Sequence, residues 1–442
     1  MKQPNQKLGY AWYVVIVLML ANISSFIDRQ ILALLVGPIK RDLHLSDTQM
    51  GLLMGLSFAL FYTLFGVLIG YSADKFNRRN IVIAGATVWS LMTALCGGIS
   101  TYTQFFLVRV GVGVGEATLS PSAYSLISDY FPKNKLSRAL STYSMGVFLG
   151  MGLAILIGAS IIGGLPKSGT VHVPVFGEIF PWQLMFIYIG LPGFAIALLM
   201  LTIKEPERKN AAGNLDTSEK PALRESLKII WVNRKAYLAI AAGTAFTAFT
   251  NYGSSAWIPT YFNRTFGWQM REIGLKYGLI VTIFSGMGVL AGGWLADRYA
   301  KEGVVDGKLR VGLFSGIGIL LSSFNFLLSD PNWILLSLAI PAFFIALPLG
   351  ACAAAVQEIM PNRVRALASS IFLFVINIIG LGLGPSVVAF FTDNIFHAEK
   401  MIKYSLVALY LIGGIATTLL FWSGLNPYSE VIAQKNAIEK SL

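Results

Sequence analysis

The chain has 442 residues, 55% of them hydrophobic and 13% charged, with a mean hydropathy of +0.65. A soluble globular chain carries about 25% charged residues, so this composition excludes an ordinary soluble protein and describes a membrane protein. The net charge of +12 lies in short segments between apolar runs and reads as a topology signal, not as a nucleic-acid surface.

Apolar runs of about 20 residues predict twelve transmembrane helices, near 11–37, 47–73, 80–100, 104–130, 137–164, 182–203, 236–262, 272–296, 310–329, 333–357, 366–392 and 403–424. The first run follows a short basic start (Lys2, Lys7) and continues past signal-peptide length, so no cleavable signal is expected. One long polar interruption, 204–235, contains KEPERKNAAGNLDTSEKP and reads as a cytoplasmic linker. The expected organisation is an N-terminal six-helix bundle (1–203), that linker, a C-terminal six-helix bundle (236–425) and a cytoplasmic tail (426–442). With both termini inside, the outer loops hold Lys40, Arg41, Lys167, Arg264, Arg271, Lys400 and Lys403. Arg29, Arg109 and Lys276 fall within spans, and the rest of the 34 Lys and Arg lie on the inner side. That asymmetry sets the orientation. Cys96 and Cys352 lie in apolar runs, and His44, His172 and His397 show no metal-ligand spacing, so neither a disulfide framework nor a metal is expected.

The two halves resemble each other. A shift of the first half by 223 places Gly51 on Gly274, Gly55 on Gly278, Gly70 on Gly293, Asp74 on Asp297 and Lys75 on Arg298; RALST (138–142) matches RALAS (365–369) slightly later. The expected fold is therefore an all-α membrane protein of two pseudo-symmetric six-helix bundles, the build of transporters that rock two bundles around a central site.

GYSADKFNRR (70–79) joins the second and third spans and returns in short form as GWLADR (293–298). Glycine lets helices approach closely, and aspartate accepts from arginine and from amides at a helix start. The pattern is similar to the signature loop of the major facilitator superfamily. By that resemblance Gly70, Asp74, Lys75, Arg78, Arg79, Asp297 and Arg298 form a conformational switch. Asp74 would brace the start of the eleventh span near Arg365, and Asp297 the start of the fifth near Arg138, both stabilising the state closed on the cytoplasmic side.

Few ionisable groups lie inside the spans. FIDRQ (26–30) puts Asp28 and Arg29 in the first, and Arg109 and Glu116 lie in the fourth, within FFLVRVGVGVGEATLSPSAY. A charge at the bilayer centre costs roughly 2.5–3.5 kcal/mol, so each needs a partner or a function. Arg109 and Glu116 are seven residues apart, on one helix face about 10 Å from each other. The first and fourth spans run in opposite senses, which brings Asp28 to the depth of Arg109 with Glu116 deeper. Burial and a nearby arginine act oppositely on a carboxyl's proton affinity. A movable Asp28–Arg109 pair is therefore a proton-coupling device, with Glu116 the second proton carrier. Purely structural pairing of the four charges is the alternative, and Arg29 either joins them or points sideways into the interface between bundles. GVGVGEA (111–117) lies inside a membrane helix, so it reads as close helix packing and not as a dinucleotide loop.

In the seventh span, Thr247, Thr250, Asn251, Ser254 and Ser255 supply uncharged polar groups, and Gly253 and Pro259 would let the helix bend or break. The cavity candidates are Phe58, Phe61, Tyr62, Tyr143, Phe148, Thr247, Asn251 and Asn377; packing or interhelical hydrogen bonding is the alternative for each.

Residues 22–166, with N-x5-DR in the first span and R-V-G-V-G-E-A around Glu116, resemble the Spinster-like family, its bacterial members above all. The resemblance implies proton-linked transport by alternating access of an amphipathic anionic lipid, such as a lysophospholipid or a sphingosine phosphate. Asp28 and Glu116 would then couple protons, and Arg29 and Arg109 would gate the pathway and hold the headgroup. It also implies a multi-pass monomer in a bacterial cytoplasmic membrane, with the proton as coupling ion and no cofactor. The alternative within transport is an organic-anion/proton symporter for small carboxylates. A membrane enzyme is disfavoured by the lack of a nucleophile–base constellation, metal motif or sizeable soluble domain. A receptor is disfavoured by the duplicated architecture.

Overall fold

A computed structural model describes residues 8–131, 133–164, 169–174, 176–207, 223–361 and 364–441. The first half of the sequence forms α1 (Leu8–Leu34), α2 (Val36–Leu43), α3 (Asp47–Met54), α4 (Leu56–Lys75), α5 (Arg78–Leu95), α6 (Tyr102–Glu116), α7 (Leu119–Tyr130), α8 (Lys133–Gly164) and α9 (Pro181–Leu201). The second half forms α10 (Leu223–Val232), α11 (Arg234–Phe266), α12 (Met270–Lys301), α13 (Gly307–Leu321), α14 (Pro331–Ser337), α15 (Ala339–Ala346), α16 (Leu349–Ile359), α17 (Arg365–Ile376), α18 (Gly384–Phe390) and α19 (Ile402–Ser441).

Among the described residues, nine helical stretches are long and apolar enough to cross a membrane. The remaining expected spans, 104–130, 137–164 and 236–262, are helical too, as α6 with α7, α8 and α11. Large side chains such as Leu68, Leu198 and Leu290 stand exposed on the outer faces, where lipid and not water is their solvent. This is an all-α multi-pass membrane protein. One feature absent from the sequence reading is a small antiparallel ribbon between α8 and α9, β1 (Val171–Val173) with β2 (Gly177–Ile179).

Local chemistry sets the helix starts. Asn77 caps α5 by accepting from the Asn80 amide at 3.0 Å. Thr101 and Gln104 form a reciprocal capping box at the start of α6. Asp330 caps α14 ahead of Pro331, whose missing amide costs nothing at a first helical position.

The described chain divides into two compact units, one of Met1–Gln49, Ser57–Ser218 and Met270–Leu275, the other of Met50–Leu56, Glu219–Gln269 and Lys276–Leu442. In the first, α1 packs along α8 and α5 along α9; in the second, α11 and α13 both pack along α19. Gly253 and Pro259 do not break the seventh span: α11 runs unbroken from Arg234 to Phe266. One irregularity in that unit falls in the eleventh span. There the glycine-rich Asn377–Leu383 widens into π-helix before Pro385, which has no amide to continue the ladder.

Candidate functional site

The charges of FIDRQ meet those of the fourth span inside the first unit. Arg109 Nη1 on α6 donates to Asp28 Oδ1 on α1 at 3.3 Å, with side chains only 1% and 4% exposed. The other Asp28 oxygen accepts from the Thr93 hydroxyl of α5. Nearby, Arg29 Nε donates to Glu116 Oε2 at 2.6 Å, and the Ser25 hydroxyl donates to the same oxygen. Adjacent residues of α1 thus pair with residues two turns apart on α6, Asp28 with Arg109 and Arg29 with Glu116. Arg29, 11% exposed, has a partner inside its own unit. The result is a buried quartet of two acids and two bases.

Aromatic rings enclose the cations. The Arg29 guanidinium carbon lies 4.8 Å from the Phe26 ring centroid, 4.7 Å from Phe58 and 4.6 Å from Tyr62. Phe58 also faces Arg109 at 5.5 Å, so a single ring contacts both cations. Phe58 and Tyr62, one turn apart on α4, stack at 5.3 Å. Each desolvated contact of this kind is worth up to about 2 kcal/mol. Gly113 makes the arrangement possible: a Cβ there would stand 2.9 Å from the Phe58 carbonyl, and α4 could not lie so close to α6.

Glu116 is the last residue of α6. A helix C-terminus carries partial negative charge and disfavours a carboxylate; Arg29 and Ser25 offset this. Hydrogen-bonding capacity remains at the site. Among the described residues, Glu116 Oε1 and Arg109 Nε are buried with no hydrogen-bond partner.

The other predicted residues are distributed more widely. Phe61 is half-buried, and Tyr143 is buried edge-on to Tyr124 with ring centroids 5.4 Å apart. The Phe148 side chain lies outside the described residues. Thr247, Asn251 and Asn377 belong to the second unit; Thr247 donates to the Thr244 carbonyl at 2.7 Å, while Asn251 and Asn377 are half-buried.

In the signature loop, Gly70 is half-buried, and the side chains of Asp74, Lys75, Arg138 and Arg365 lie outside the described residues. The braces expected of Asp74 and Asp297 therefore involve undescribed side chains. Asp297 is exposed, and Arg298 pairs with Glu302 at 2.8 Å. Arg78 is buried within the first unit, donating to Asp129, to Glu205 at 2.7 Å, to Ser125 at 2.7 Å and to the Pro206 carbonyl at 3.1 Å. Arg79 adds its amide to Glu205 at 3.0 Å and Nη1 to the Ile203 carbonyl at 3.2 Å. Thr93, Ser25, Asp129 and Glu205 are the participants that sequence reasoning missed.

The family model of the Major Facilitator Superfamily matches residues 18–385. The chain belongs to this superfamily. As a superfamily member it is a transporter and not an enzyme, and within the superfamily it is Spinster-like. It is 26% identical to Protein spinster homolog 1 of Xenopus tropicalis over 475 aligned positions, covering 97% of this chain and 86% of that protein. It is 28% identical to an MFS-type efflux pump of Mycolicibacterium smegmatis, covering 87% and 85% of the two chains. A solved bacterial homolog of the human lysosomal transporter Spinster, inward-facing and unoccupied, superposes with a TM-score of 0.75 at 26% identity. That match covers 96% of this chain and 97% of the other.

Proposed function

We propose that this transporter couples proton movement to alternating-access transport of an amphipathic anion, a lysophospholipid or a sphingosine-phosphate-like lipid. In this reading Asp28 and Glu116 carry protons, and Arg29 and Arg109 receive the anionic headgroup. The observation that carries it is the balanced quartet, in which both buried arginines are already matched by carboxylates. An anionic headgroup that engages either arginine competes with that arginine's carboxylate. A displaced carboxylate cannot remain buried and charged without a partner, so it must be neutralised by a proton. Substrate anion and proton are thereby linked through one pair of atoms. The Arg109 Nε and Glu116 Oε1 atoms without hydrogen-bond partners are the donor and acceptor available for this exchange. Phe26, Phe58 and Tyr62 pack around the Arg29 guanidinium and give the charges apolar, polarisable surroundings, which suits a molecule with a tail. We further infer a monomer in a bacterial cytoplasmic membrane with both termini inside, using the proton and no bound cofactor.

A small-carboxylate/proton symporter would use the same quartet, since a guanidinium pairs with carboxylate as well as with phosphate. The test is purified protein in liposomes under an imposed proton gradient, with a labelled lysophospholipid and a labelled small aromatic carboxylate followed in parallel. Gradient-driven lipid movement that Asp28→Asn abolishes is the expected result. Carboxylate movement alone would transfer the protein to the second reading, and wild-type turnover by Asp28→Asn would overturn the role of Asp28.

A further inference from the structure

Within the polar stretch before the seventh span, LRESLKIIWV folds as α10. One side of this helix is anchored: Ile230 is buried in the cluster that also holds Met360, Tyr428 and Ile432, and Ile229 packs against it. Among the described residues, the opposite side has no such cover. Leu227 and Trp231, one turn apart, are 44% and 66% exposed. The cations Arg224 and Lys228 stand exposed beside them, and Arg234 and Lys235 follow at the start of α11.

Arg234 ties these features together. Its Nη1 donates to the Trp231 carbonyl at 3.1 Å, and its guanidinium lies 5.0 Å from the centroid of the Trp231 ring. The exposed apolar line continues onto α11 through Leu238, so the uncovered face of α10 is continuous with the outer face of a membrane-spanning helix. A second cation-over-tryptophan pair lies in the same unit, where Arg298 covers the exposed Trp294 ring at 5.6 Å near the end of α12. Exposed tryptophan sorts to the membrane–water boundary, and clustered lysine and arginine beside a span favour anionic lipid.

We propose that α10 lies on the bilayer surface, with Leu227 and Trp231 in the acyl boundary and Arg224, Lys228, Arg234 and Lys235 holding the headgroups of anionic phospholipids. The inference uses only the chain's membrane-spanning character and is independent of the transported substrate. Full-length protein is reconstituted in vesicles carrying bromine near the headgroup on either phosphatidylglycerol or phosphatidylcholine. Tryptophan quenching is then compared between wild type and Trp231→Phe, which isolates the signal of this one indole.

The expected result is a Trp231 signal quenched more strongly by the phosphatidylglycerol than by the phosphatidylcholine, with the difference shrinking as salt is added. Lys228→Gln should lower that preference by up to about fivefold, and replacing all four cations with glutamine should abolish it. Equal quenching by the two lipids would overturn the headgroup assignment. Quenching identical in wild type and Trp231→Phe would remove α10 from the bilayer altogether.

Discussion

Replacing Arg109 with methionine leaves the Asp28 carboxylate buried without its cation. At 3.3 Å and an effective dielectric of about 20, the Coulomb attraction forgone is about 5 kcal/mol. Thr93 still donates to the carboxylate, so part of the loss is offset. Removal of one member of a buried pair costs about 3–5 kcal/mol, and that is the range expected for Arg109→Met. Asp28→Asn should cost less, since arginine keeps its contact with Phe58 at 5.5 Å. In the double variant no unpaired charge remains, so its cost should be below the sum of the two single costs by at least about 2 kcal/mol. Equilibrium unfolding in mixed detergent micelles measures all three. Single costs that add to within about 0.5 kcal/mol in the double variant would refute the idea that these residues form one electrostatic unit.

Other consequences follow from the same atoms. Thr93→Val removes a hydrogen bond to a buried carboxylate and should destabilise by about 1–3 kcal/mol, whereas Thr93→Ser should stay near wild type; equal stability of the two variants would discount the bond. Phe58→Leu keeps an apolar side chain but loses both guanidinium contacts, for an expected cost of about 1–3 kcal/mol, measured by the same unfolding; Phe58→Tyr should retain most of it. Glu116→Gln should flatten the pH profile of gradient-driven transport, and an unchanged profile would reduce Glu116 to a packing residue. Arg78→Lys should not rescue Arg78→Ala, because Nε, Nη1 and Nη2 all have partners and an ammonium cannot reproduce that fork. Limited proteolysis just beyond Pro206 reads this out, with faster cleavage expected in both variants.

Some of this architecture was legible because the membrane leaves few choices. Ionisable groups inside apolar spans need partners, so the depth argument for opposed helices was enough to bring Asp28 to Arg109. Arg29 was ambiguous for the opposite reason: a long side chain can satisfy its charge in several directions, and only packing selects Glu116. Thr93 gave no signal, because a threonine in a membrane helix ordinarily bonds its own preceding turn, as Thr63 does to the Ala59 carbonyl and Thr87 to Ile83. Asp129 and Glu205 lie at the ends of spans, where charges are usually solvated; nothing local distinguished them from topology signals. The helix inside the linker was hidden by its ten residues, too few for a spanning pattern. Gly253 and Pro259 would permit a break, yet α11 continues through both, while the run from Asn377 to Leu383 widens into π-helix.

The fourth span carries one irregular turn, at Ala117 and Thr118. α6 ends at Glu116 and α7 resumes at Leu119, with the Thr118 hydroxyl folded back onto the Gly115 carbonyl at 2.8 Å. The joint sits against α5 at Gly85, where any side chain would strike Thr118. Arg109 lies within α6, two turns from the joint, and Glu116 at the joint itself. The two ion pairs therefore sit differently on the fourth span, one at its irregular turn and the other two turns inside a regular helix.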